Sequence, residues 1–119
     1  MSAFDPDAAA DPNAGIYGLP TAEADAAAVV VPVPFAPTVS YGVGAEGGPD
    51  AVREGSLQVD LYDLHFGRVW EKGIHCLDPR PEIEAAHREA RALAAPLIEA
   101  GGAGDADGDT VSRVDEICR

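Results

Sequence analysis

Between Asp25 and Glu46 the chain carries no charged side chain, and prolines and glycines divide that run into a strand and a loop. The strand is Val29-Val30-Val31-Pro32-Val33, a short β-branched stretch of the kind that forms a buried strand. Pro32 and Pro34 each lack the backbone donor a ladder needs, so the strand is expected at a sheet edge or to end early. After Ala36, Pro37 opens a loop holding Gly42, Gly44, Gly47 and Gly48. No uncharged run is longer than this one, and its prolines and glycines exclude a continuous membrane-spanning helix. Gly48-Pro49 followed by Asp50, Ala51, Val52, Arg53 and Glu54 reads as a helix start, with proline at the first helical position and an acid in the first turn.

The core available to any fold is thin. Leu, Ile, Val and Phe make up 26 of 119 residues, whereas Ala alone makes up 22. Alanine buries little area, so a chain of this length sits at the margin of folding alone. With 8 basic and 21 acidic residues the net charge is −13, which argues against nucleic acid and anionic membranes as partners. The acidic start lacks the positive and apolar regions of a signal peptide. Cys76 and Cys118 do not make a disulfide framework, and two free thiols fit a cytoplasmic protein.

Residues 1–14 show no period and read as a disordered acidic tail, which leaves 15–119 for the folded part. Residues 57–63 alternate, with Leu57, Val59 and Leu61 on one side, as in a strand or extended segment. Arg68 to Leu77 holds a further short extended piece. Pro81 to Ala100 is the clearest helix, with Ile83, Ala86, Ala90, Leu93, Leu97 and Ile98 on one face. Pro96 is expected to kink or split it. Residues 101–109 read as a flexible break, and a second helix begins at Thr110, which can cap it.

Three groups of residues invite a chemical reading. Asp105, Asp107, Asp109 and Glu116 have the spacing of a calcium loop. Thr110 stands where that loop needs glycine, and Ser112 where it has an apolar residue, so a solvated acidic linker is the preferred reading. His65, His75, Cys76 and His87 fall close together, but without a CxxC or HxxxH spacing they read as surface histidines and a half-buried thiol. Gly42-Val43-Gly44-Ala45-Glu46-Gly47 matches GxGxxG, yet residues 36–41 separate it from the strand that should precede it directly. Glu46 would also repel a pyrophosphate.

From Val29 to Ser56 the sequence reads VVVPVPFAPTVSYGVGAEGGPDAVREGS. Val33-Pro34-Phe35, Ser40-Tyr41, Gly44-Ala45, Gly48-Pro49, Ala51-Val52-Arg53 and Ser56 occur in the order found at the start of the ureohydrolases, the manganese enzymes that include arginase and agmatinase. Residues 58–63 and Trp70 to Ile74 resemble an agmatinase-like subgroup in particular, as do the helix from Pro81 and the final Val114 to Cys118. Many members have Gly in place of Pro32 and Asp in place of Ala36, and some have Arg in place of Gly42.

The resemblance implies an α/β fold, the N-terminal part of a three-layer α/β/α domain with a parallel sheet, truncated within a helix. It implies a parent enzyme that hydrolyses a C–N bond of a linear amidine and releases urea from an agmatine- or arginine-like guanidine. In such a parent two Mn2+ ions bridged by hydroxide supply the nucleophile, and the enzyme is expected to be a homo-oligomer. The metal motifs Gly-Gly-Asp-His, Asp-Ala-His-x-Asp and Asp-x-Asp are absent here. No catalytic residue and no metal ligand is therefore assigned within the chain, no metal is expected in it, and it is expected to be inactive alone. The resemblance places Ser40, Tyr41, Gly42 and Gly44 in a loop near the substrate. The competing class is a non-enzymatic acidic interaction module or a calcium-binding one.

Overall fold

The computed structural model describes residues 4–119. The chain divides into two compact units, one built from residues 4–32 and 49–78 and the other from Val33–Gly48 and Pro79–Arg119. Prolines mark all three crossings: Pro32 before the first, Pro49 after the second and Pro79 after the third.

The first unit is a β-α-β arrangement. Strand β1, Ala28–Val30, pairs in parallel with β2, Ile74–Cys76, with Ala28 opposite Ile74, Val29 opposite His75 and Val30 opposite Cys76. Helix α1, Gly48–Ser56, lies in the connection between them, as parallel pairing requires a long crossover. The ladder is lengthened by Ala27 N–H to Gly73 O at 3.0 Å and by Leu77 N–H to Val30 O at 3.0 Å. Gly73 is buried at φ 82°, and a Cβ there would meet Asp25 O and Thr21 Cγ2, each at 2.8 Å. Only glycine lets the chain enter β2 so close to its neighbours. Ile16 and Leu19 form the unit's apolar core.

The sequence expectations meet two differences in this unit, at β1 and at residues 57–63. β1 ends at Val30, consistent with the missing donors of Pro32 and Pro34, but it is not buried: Val29 is 42% exposed. Among the described residues β2 is its single partner, and its other edge has no neighbouring strand. Residues 57–63 form no ladder. Leu57, Gln58 and Val59 instead donate back to the carbonyls of Glu54, Gly55 and Ser56 as turns continuing from α1. The extended piece expected within Arg68 to Leu77 is β2, preceded by a 3-10 turn at Val69–Lys72. Residues 1–3 of the expected acidic tail lie outside the described residues. In the rest of it the carboxylates of Asp5 and Asp11 accept the N–H groups of Asp7 and Asn13, and Phe4 meets the Trp70 ring edge-on with centroids 5.1 Å apart.

The second unit is a helical pair with a loop. Helix α2 spans Pro81–Glu99 and begins with proline at its first turn and Glu82 and Glu84 beside its positive end. The face expected from periodicity is the covered one: Ala90 and Ala94 are buried, and Ile83, Ala86, Leu93, Leu97 and Ile98 are half-buried. Pro96 does not split the helix, which runs on to Glu99. It ends in a Schellman motif, with Gly102 N–H bonded to Leu97 O and Gly101 N–H to Ile98 O. The predicted flexible break thus opens with a defined cap.

Helix α3, Gly108–Ile117, packs on α2 through Val114. It begins two residues before Thr110, which does not cap it. The Asp107 carboxylate accepts the Gly104 N–H at 2.7 Å and winds Asp105–Asp107 into a 3-10 turn that leads straight into the helix. Arg113 of α3 ties the pair together, donating to Glu89 Oε1 at 2.6 Å and to Glu116 Oε2 at 2.7 Å. Its pKa is raised above the ordinary arginine value by the hydrogen bond to Glu116 first, then by Glu89.

Candidate functional site

Ligands of open parallel α/β sheets gather outside the carboxyl ends of the strands. In the first unit that edge follows Val30 and Cys76, and Arg53 of α1 reaches it. Its Nη2 donates to Leu77 O at 2.9 Å and lies 3.5 Å from Cys76 Sγ, while Nη1 lies 3.5 Å from Asp78 Oδ1. The Arg53 pKa is raised, by the Cys76 contact most, with burial working against the rise and Asp78 adding to it. One guanidinium thereby fixes the end of β2 against α1. Ser56, one turn further along α1 and buried, donates to Arg53 O at 2.6 Å and accepts the Tyr17 N–H at 2.9 Å.

In the second unit the glycine loop is held from one side. Residues 35–39 lie on α2: Ala36 N–H donates to His87 Nδ1 at 3.2 Å, and the Phe35 ring meets the His87 ring edge-on at 6.2 Å. Arg91, one turn on, donates from Nη1 to Pro37 O at 3.1 Å and to Val39 O at 2.9 Å. Beyond Val39 the loop opens to solvent. Ser40 is exposed, and Tyr41 is 98% exposed. Gly42 and Gly44 stand at φ 70° and 105°, where L side chains are strained, and a Cβ would meet nothing at either position. These glycines are kept for backbone shape.

The four loop residues expected near a substrate fall within one five-residue stretch, 40–44, and all are exposed. The three histidines do not converge. His87 belongs to the contact with Ala36, His75 Nδ1 lies 2.8 Å from Thr21 O, and His65 is exposed at a turn closed by the Asp63–Gly67 bridge. Among the described residues no three His, Cys, Asp or Glu side chains are placed to hold a metal ion, so this chain's residues do not fit a manganese centre. Asp105 to Glu116 is wound into a 3-10 turn and a helix, and Glu116 pairs with Arg113; such a rod does not wrap an ion as a calcium loop does. Eleven residues, 31–41, separate the end of β1 from Gly42, so GxGxxG is not the turn that leaves a strand. A cavity of about 440 Å3 lies under Phe4 to Pro20 and is walled by Leu57, Val59 and Leu61, the three residues whose alternation suggested a strand. Among the described residues no helix is long and apolar enough to cross a membrane.

Sequence reasoning missed the work of His87 and Arg91. Nothing local marks them, because their partners are backbone groups more than 50 positions away. Arg53 and Ser56 were visible only as members of the run after Gly48-Pro49.

A parallel β-α-β unit followed by an amphipathic helix defines the class as α/β with a parallel sheet, the fold class the sequence implied. Within that class, the chain is 53% identical over 47 residues to an N(1)-aminopropylagmatine ureohydrolase of Synechocystis. That match covers 40% of this chain and 15% of the relative. It is 34% identical over 82 residues to proteins of the same name from two strains of Thermus thermophilus, covering 65% of this chain and 28% of each relative. The matched stretches thus span less than a third of the curated relatives. No protein-family profile matches the chain, and no solved structure matches it.

Proposed function

We propose that this chain is the N-terminal part of an agmatinase-like ureohydrolase, the opening of a three-layer α/β/α domain. The observation that carries the reading is the 53% identity to an N(1)-aminopropylagmatine ureohydrolase, in a chain whose first strands pair in parallel. The parent reaction is hydrolysis of a C–N bond of a guanidine carried on a linear polyamine, with release of urea. A net charge of −13 suits a polycationic substrate, because the protein's field raises the local concentration of cations. Within the chain the residues nearest that chemistry are Ser40, Tyr41, Gly42 and Gly44. They line a substrate-facing loop and perform no bond-breaking step.

The manganese motifs of such an enzyme, Gly-Gly-Asp-His, Asp-Ala-His-x-Asp and Asp-x-Asp, do not occur in this sequence, and no manganese ligand is assigned among the described residues. The isolated chain is accordingly inactive, and the parent is a cytoplasmic homo-oligomer without nucleic-acid or membrane partners. The genomic sequence directly 3′ of codon 119 tests the reading. An open frame running into Gly-Gly-Asp-His and then Asp-Ala-His-x-Asp is expected. A stop codon with neither motif in any frame would overturn it and favour a non-enzymatic acidic module.

A further inference from the structure

Loops that meet a substrate need a fixed backbone, because a displacement of about 1 Å at a positioning group can cost on the order of a hundredfold in rate. The loop Ser40 to Gly44 has little fixing of its own. Its side chains are exposed, and both glycines add conformational freedom. What precedes it is different. His87 and Arg91 are four apart on α2 and so share a face. They offer an acceptor and a donor to consecutive parts of one extended segment: Ala36 N–H, then Pro37 O, then Val39 O. The segment's own composition makes this necessary. Pro34 and Pro37 have no N–H, so residues 33–39 cannot join a ladder along their length, and their backbone groups need side-chain partners instead.

We propose that Arg91 and His87 are positioning residues for the substrate loop, gripping residues 36–39 so that Ser40 to Gly44 leave α2 in one register. This rests on the ureohydrolase reading for the word substrate, but not for the grip. Arg91 is suited to the role, since its Nη1 donates to two carbonyls two residues apart and the planar guanidinium holds the two N–H directions fixed. A lysine ammonium is a single rotatable point and holds such a pair less rigidly. His87 must present an unprotonated Nδ1 to accept the Ala36 N–H, which fixes the proton on Nε2.

The test uses the 119-residue chain labelled with 15N, as wild type, Arg91→Ala, Arg91→Lys and His87→Asn. In the wild type, low-amplitude motion is expected at Val39 to Gly44, with a protected Ala36 amide and the His87 Nε2–H tautomer. Arg91→Ala frees the Pro37 and Val39 carbonyls and is expected to loosen residues 39–44, raising exchange of the adjacent Ala36 amide by about threefold although its own bond to His87 remains. The amides of Ala90 and Ala94 should stay protected as before. Arg91→Lys should restore part of the order, and His87→Asn should keep Ala36 protected through its side-chain oxygen. A loop equally mobile in wild type and Arg91→Ala overturns the proposal. So does a parallel loss of protection at Ala90 and Ala94, which would make Arg91 a support of the helix only. In a longer polypeptide carrying the metal motifs, Arg91→Ala should raise KM for N(1)-aminopropylagmatine with kcat little changed. Absence of urea from that polypeptide would remove the ureohydrolase reading while the loop measurements still decide the grip.

Discussion

Tyr17 stands at φ 60° and ψ 16°, a left-handed backbone that a residue with a bulky side chain rarely adopts. Backbone bonds from Gly18 N–H to Gly15 O and from Leu19 N–H to Ile16 O close the turn, and one hydroxyl satisfies the Tyr17 N–H. Ser56 Oγ accepts the Tyr17 N–H and donates its own hydrogen bond to Arg53 O, so a single buried side chain joins the Tyr17 turn to α1. Removing it leaves a buried donor unsatisfied, which costs about 1–3 kcal/mol. Ser56→Ala is therefore expected to speed exchange of the Tyr17 amide by roughly five- to a hundredfold. Ser56→Thr, which keeps the hydroxyl, should change it far less. Equal exchange in Ser56→Ala and wild type would show that the Tyr17 backbone is held by something else. At this scale the sequence was half legible. Ser56 and Arg53 stood out within a run of family-like residues, but their hydrogen bonds to Tyr17 and Leu77 join distant parts of the chain and leave no local pattern.

At the scale of elements, the α2–α3 pair depends on small residues. Ala90 has no exposed surface and Ala94 is 6% exposed, so the helices approach closely, yet a cleft of about 230 Å3 remains beside Ala94, Leu97, Ile98, Val111 and Val114. The two alanines should respond oppositely to enlargement. Ala90→Leu has no room and is expected to cost about 1–3 kcal/mol by overpacking. Ala94→Leu can grow into the cleft and is expected to stabilise the pair by about 0.5–2 kcal/mol. Exchange at the Val114 amide reads both, rising in the first variant and falling in the second. If both variants raise it, the cleft does not accept a side chain. The helices were the most legible part of the chain: proline at the first turn marked α1 and α2, and the 3.6-residue period gave the covered face of α2. Three boundaries were not legible, each for a physical reason. Asp107 nucleates α3 ahead of Thr110 through its bond to Gly104. The alternation at Leu57, Val59 and Leu61 follows a cavity wall, because no neighbouring strand is there to pair with. The apolar run at β1 gave the strand but not its exposure, which depends on neighbours that no local pattern records.

At the scale of the whole molecule, the buried apolar side chains among the described residues, prolines aside, are Ile16, Leu19, Ala90, Ala94 and Val114, divided between two units. That is little to set against a conformational cost of about 1–2 kcal/mol per ordered residue. The isolated chain is expected to melt without a sharp cooperative transition or to associate, with its most persistent helical signal in α2. A single sharp thermal transition from a monomer, with protected amides at Val29 and Val30, would contradict this and would mark the chain as a complete domain. Such a result would leave the exposed face of β1 unexplained.

The proposal is that this chain is the N-terminal part of an agmatinase-like ureohydrolase and carries no hydrolytic metal centre of its own. Urea release tests it most directly. Purified 119-residue chain, supplied with Mn2+ and N(1)-aminopropylagmatine, agmatine or arginine, is expected to release no urea above a protein-free control. Turnover above that control, retained through repurification, would contradict the account, since it would place a working metal centre among side chains that do not converge.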